Sequence, residues 1–165
     1  MTTTTLEQTN TVISKEQLLK HWLGHRNLTR RVIEAFPEKA LFEFSVGSMR
    51  PFAQLITELL SIGGPALKEI LSKEARPYTE AGIELSSKKE ILEQWDAATE
   101  AIRNDYLLIP EEDFQKTFNL FGQYEFPVYE NIFYFIDNEI HHRAQGYVYL
   151  RALGIQPPFF WERKA

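Results

Sequence analysis

The chain has 165 residues, 44% of them hydrophobic, 25% charged and 13% aromatic, with a net charge of −5; this is the length and balance of one soluble domain with a well-filled core. An acidic chain whose tightest basic cluster is Arg26, Arg30 and Arg31 offers no surface for nucleic acid, because phosphate binding needs clustered, unmatched cations. The absence of cysteine excludes disulfides, thiolate metal sites and a cysteine nucleophile, and it fits a cytoplasmic location.

The opening "MTTTTLEQTNTVIS" lacks the basic and apolar regions of a signal peptide. No apolar run approaches about 18 residues, so neither an export signal nor a membrane span is expected. Residues 1–13 read as a disordered tail and 14–165 as a single domain. Ser14 followed by Gln17 forms a capping box, and behind it Leu18, Trp22, His25, Thr29, Val32 and Phe36 recur at spacings of three and four. That pattern predicts a first helix over residues 15–36, stopped by Pro37. Pro51 opens a second helix with Phe52, Leu55, Leu59 and Ile62 on its inner stripe, and Gly63-Gly64-Pro65 should kink or interrupt it. A second capping box, Ser87 with Glu90, starts a third helix with Ile91, Trp95, Ala98, Ile102 and Ile109 on one face. The period is then lost over a long, phenylalanine-rich connection that shows no strand pair. Pro127 opens the last helix, and Gly154 with Pro157 and Pro158 closes it. Four amphipathic helices that must bury their stripes against one another define an all-α, up-down four-helix bundle with a long connection before the last helix.

Polar residues on these stripes are the candidates for function. His21 and His25 have the spacing that stacks two imidazoles on one helix face, with His25 on the inner side as either a core histidine or a ligand. Glu58 shares a face with Leu55 and Ile62, so its carboxylate must be paired, hydrogen-bonded, metal-bound or protonated through a raised pKa, unless it reaches solvent from the stripe edge. On the last helix Phe135, Asn138, His142, Gln145 and Tyr149 form one seam, either a site or a buried hydrogen-bond network. His142 is thus the inward member of the His141-His142 pair, because adjacent helical residues point about 100° apart. Counting outward from the connection between the first two helices at 1.5 Å per residue places His25 and Glu58 nearly level.

Through "NEIHHRAQGYVYLRALGIQPP", supported by "HWLGHRNLTRRVIEAF" and "MRPFAQL", the chain resembles the DinB/YfiT-like family of metalloenzymes over nearly its whole length. The resemblance implies a four-helix bundle, often a homodimer, that holds a divalent metal, zinc or nickel, on three histidines. One comes from the second helix and two, a turn apart, from the last. In this sequence those positions are Glu58, Asn138 and His142. A metal would then be kept best by His25, Glu58 and His142, with Asn138 orienting water or a ligand. The family further implies thiol S-transfer with a low-molecular-weight thiol, or metal-dependent hydrolysis of a small molecule. In that scheme His25 completes the metal shell or acts as base, while Gln145 and Tyr149 position substrate. The competing expectation is a bundle that has lost its metal and serves as a small-molecule-binding or stress-response protein, with a protonated Glu58 bonded to Asn138.

Overall fold

The computed structural model describes residues 12–163, and most of the expected N-terminal tail lies outside them. The first helix, α1 (Lys15–Ala35), starts where the capping box places it: Ser14 Oγ accepts from the Gln17 amide at 3.2 Å, and Gln17 Oε1 accepts from the Ser14 amide at 2.8 Å. A short helix, α2 (Glu38–Glu43), follows inside what the sequence presents as a plain connection. The second long helix, α3 (Phe52–Ser72), is not interrupted. Pro65 faces solvent there, so its ring and missing N–H cost one rung of the hydrogen-bond ladder without ending the helix. Ser87 caps α4 (Lys88–Leu108), and α5 (Val128–Ala152) is the longest helix. No helix among the described residues is long and apolar enough to cross a membrane.

The connection before α5 contains a strand pair that the sequence analysis did not find: β1 (Thr117–Leu120) runs antiparallel to β2 (Tyr124–Pro127). Its turn puts Phe121 at φ 55° and Gly122 at φ 70°. A buried phenylalanine in the left-handed region is an unusual turn residue, held here by Glu69, whose carboxylate accepts the Phe121 amide at 3.3 Å. The two-residue Asn-Gly or Asp-Gly signal is missing, and Gly122 in the three-residue loop is the one local mark of the turn.

The four long helices form the expected all-α bundle, but they run up-down-down-up rather than in the simple up-down order expected. The connection between α3 and α4 crosses back along the bundle, so α4 runs parallel to α3 and antiparallel to α1, and α5 then returns parallel to α1. The order of the helices around the bundle decides which side chains meet. α1 packs on α4 and α5, α3 packs on the same two, and α1 and α3 stand across the bundle from each other. Trp22 near Phe135, Arg26 near Glu139 and Arg143 near His25 show α1 and α5 running the same way. Phe52 against Gly146 and Glu58 against His142 show α3 running opposite to α5. A Cβ on Gly146 would lie 2.6 Å from the Phe52 ring, which is why the smallest residue stands at this crossing. One apolar cluster gathers around Trp22, Tyr106 and Phe135 and another around Phe36, Phe52, Trp95 and Tyr149. Along α1 and α5 the two are separated by buried Arg26, Thr29, Glu139, His142 and Arg143, a charged layer through the middle of the core.

Candidate functional site

The seam read from α5 converges on α3 as an ionic and hydrogen-bonded cluster. Glu58 Oε1 lies 2.9 Å from His142 Nε2 and accepts from Asn138 Nδ2 at 3.4 Å, while Glu58 Oε2 accepts from Arg50 Nη2 at 2.5 Å. The other ring nitrogen of His142 is 2.9 Å from Gln145 Oε1. Tyr149, fully buried, donates its hydroxyl to the Arg50 carbonyl at 2.8 Å and so fixes the backbone from which Arg50 reaches. Glu58, Asn138, His142, Gln145 and Tyr149 are therefore brought together, as their spacing predicts, and Arg50 is the member that sequence reasoning missed. It lies outside every helical stripe, immediately before Pro51, so periodicity carries no signal for it.

Burial works to raise the Glu58 carboxyl, but hydrogen bonds from Arg50 and His142 outweigh it and hold the group below its ordinary value. Glu58 is thus an anion between two nitrogen donors, and the expected protonated Glu58 is not what the geometry provides. Beside the cluster, the hairpin and α5 enclose a cavity of about 530 Å³ lined by Phe126, Phe133, Tyr134 and Asp137. Tyr134 is one turn before Asn138, and burial followed by the charge of Glu58 pushes its hydroxyl up.

His25 does not join this cluster. It lies level with Glu58, as the residue count gives, because His25 meets Arg143 while Glu58 meets His142, the next residue along. The two sit on different flanks of α5, since adjacent helical positions diverge by about 100°. Arg143 Nη2 is 2.9 Å from His25 Nδ1, and Arg163 Nη1 and His21 Nε2 are 2.9 and 3.2 Å from His25 Nε2. Against the same face, Thr29 donates to Glu139 at 2.6 Å, and Arg26 and Arg143 approach that carboxylate to 3.8 and 3.9 Å. The sequence marks Arg26 only as part of a small basic cluster, and Glu139 and Arg143 were not singled out from it. Their signal was the stripe Ile132, Phe135, Ile136, Glu139, Arg143, Gly146 and Leu150, which puts two opposite charges on the buried face.

Burial, then the charges of Arg143, His21 and Arg163, push His25 down from 6.5 to about 3, and burial with Arg163 lowers His21 as well. The folded chain therefore keeps His25 neutral where the unfolded chain protonates it. This stability is complete above 6.5 and is lost as pH falls from there toward about 3. Urea unfolding at about pH 7 and about pH 5 should show lower stability at the acid end, and His25→Gln should flatten the slope between them. An unchanged slope in that variant would place the proton uptake on other groups.

Whether these residues can hold a divalent metal follows from where their donors point. Both Glu58 oxygens are engaged by nitrogen donors, His142 Nε2 is turned into that carboxylate, and Asn138 presents its NH2 group rather than its oxygen. Among the described residues no group of three or more Asp, Glu or His side chains is placed to hold a metal ion. The residues as placed do not fit a zinc or nickel site, because such sites take three or four lone pairs aimed at one point.

The architecture is thus an all-α bundle with a polar cluster between its second and fourth long helices, in the place where three ligand positions of one helical family would fall. The model of the DinB family matches residues 1–164, and the chain belongs to that family. Two solved structures show the same fold. A DinB-like protein from Bacillus cereus ATCC 10987 is 16% identical, with a TM-score of 0.72 over 88% of this chain and 97% of that one. A DinB-like protein from Bacillus subtilis, YjoA, is 19% identical, with a TM-score of 0.74 over 90% of this chain and 99% of that one. No curated protein matches the chain.

Proposed function

We propose that this DinB-family chain is a metal-free small-molecule-binding bundle. Its ligand occupies the cavity between hairpin and α5, where Tyr134 in the cavity wall feels the charge of Glu58 in the neighbouring Arg50–Glu58–His142 cluster. The observation that carries this reading is the 2.5 Å contact of Arg50 with Glu58, a guanidinium lying against the carboxylate where a metal would have to bind. An arginine held in that place supplies the positive charge without a metal, and it offers further donors to a polar group on the ligand. Phe126, Phe133 and Tyr134 suit an apolar body, and the acidic Glu130 and Asp137 on the same wall disfavour an anionic one.

A metal-dependent transferase or hydrolase remains the competing function, and one observation favours it: the Arg50 side chain is 43% exposed, free enough to be displaced. The two readings separate on protein purified without chelator. The expected result is well under one metal ion per chain and no change of Tm on adding EDTA, because a ligand stabilises the folded state only if it is bound there. Near-stoichiometric zinc or nickel that disappears in Glu58→Ala and His142→Ala, with a chelator-sensitive Tm, would overturn the metal-free reading. Arg50→Ala sharpens the comparison: it frees one carboxylate oxygen, and added zinc should then raise Tm in the variant more than in the wild type.

A further inference from the structure

The last helix has a second lined cavity, on the flank away from Glu58. At about 100° per residue, Asn138, His142, Gln145 and Tyr149 cluster around one direction of α5, and Ile140, Arg143, Tyr147 and Arg151 around nearly the opposite one. The latter group forms one wall of a cavity of about 410 Å³, and Phe159, Phe160 and Trp161 from the C-terminal segment form the other. The segment is anchored there: Arg163 reaches His25, Arg31 donates to the Glu162 carbonyl, and the Arg163 carbonyl packs where Gly24 has no side chain.

Three features give this cavity a preferred ligand. First, its polar lining is cationic, with Arg143 and Arg151, and no acidic side chain among the described residues lines it. Arg143 is committed to His25 and Thr29, while Arg151 lies 5.7 Å over the Tyr147 ring and has no acidic partner among the described residues. Second, the hydroxyl of Tyr147, one of the residues lining the cavity, is shielded from water and has no hydrogen-bond partner among the described residues. A buried donor without an acceptor is a cost that an incoming oxygen would remove. Third, Phe159 and Trp161 stack at 4.7 Å, yet 49%, 66% and 62% of Phe159, Phe160 and Trp161 stay exposed, an apolar face built but not covered. Burial raises the Tyr147 hydroxyl, against the opposing charges of Arg143, Arg31 and Arg151, so this group stays a donor.

We propose that the cavity binds a small aromatic carboxylate, its charge held by Arg151 and the Tyr147 hydroxyl and its ring against Phe159, Phe160 and Trp161. The site is separate from the Glu58 cluster and stands whatever that cluster binds. The probes are 3-phenylpropionate and its neutral amide, which differ only in the charged group, titrated by calorimetry and by tryptophan fluorescence. Trp161 is the exposed tryptophan, whereas Trp22 and Trp95 are each 1% exposed, so Trp161→Phe should abolish the fluorescence change. The acid should bind at least about tenfold more tightly than the amide, the amount expected of a hydrogen bond to a charged group. Arg151→Gln should erase most of that preference. Tyr147→Phe, which removes a hydroxyl without a partner, should fold normally and weaken the acid more than the amide, because the bond to the charged group is the stronger one. Absence of binding, equal binding of acid and amide, or a preference that survives Arg151→Gln would each overturn the proposal.

Discussion

Glu139→Ala should destabilise the protein by about 3–5 kcal/mol, the cost of leaving a buried charge without its partner. Glu139 is 2% exposed and is the acid that faces both Arg26, 2% exposed, and Arg143, 5% exposed. Burial raises the Glu139 carboxyl against the pull of Arg26, Thr29 and Arg143, and burial likewise lowers Arg26 to about 10, so each group is costly to hold charged alone. Removing the carboxylate leaves two guanidiniums sharing the layer between the apolar clusters, with water excluded from Arg26. Guanidinium chloride unfolding measures the loss. Glu139→Gln keeps the shape and can still accept from Thr29, so any cost it shares with alanine belongs to the charge. A loss below about 1 kcal/mol for both variants would mean that the layer relaxes or hydrates, and that the ionic account of it is wrong.

The same layer shows what the sequence could and could not reveal. Spacing gave the four helices and the inward residues of α5, because a stripe is a property of one helix. The two capping boxes were equally legible, although at Ser87 only half the expected exchange forms and Glu90 turns to Ser86 instead. Which helices become neighbours is not a property of any single stripe. His25 and Glu58 lie level and both point inward, and only the placement of α1 across the bundle from α3 sends His25 to Arg143 and leaves Glu58 to His142. Glu139 and Arg143 were hidden for another reason: charge on an apolar stripe reads as an interruption until its partner, Arg26 on α1, is known to face it. The hairpin had a local mark, Gly122 in a three-residue loop, but it was a weak one, because the preceding Phe121 is held in a left-handed conformation by distant Glu69, a contact that the local pattern does not encode.

Trp95→Ala should cost a further about 3–5 kcal/mol on its own, as for other buried tryptophans, and its interaction with Glu139→Ala tests how the core is built. Trp95 is 1% exposed and clasps α4 to α1: its indole donates to the Arg26 carbonyl at 3.0 Å, and Arg26 Nη2 donates back to the Trp95 carbonyl at 3.2 Å. The Arg26 guanidinium also lies 3.3 Å from the indole centroid, and its Nε donates to Thr99 at 3.0 Å. Arg26 is thus held from one side by an aromatic face and from the other by Glu139. Removing either support strands the same cation, so the second removal has less left to lose. The double variant Trp95→Ala/Glu139→Ala should therefore fall short of the summed single costs by about 0.5–3 kcal/mol. Arg26→Met should narrow the gap further, because a neutral side chain needs neither support. Strict additivity of the two losses would instead mean that the α1–α4 clasp and the α1–α5 ion layer are independent, with Arg26 held by its backbone and by Thr99 rather than by the two groups that flank it.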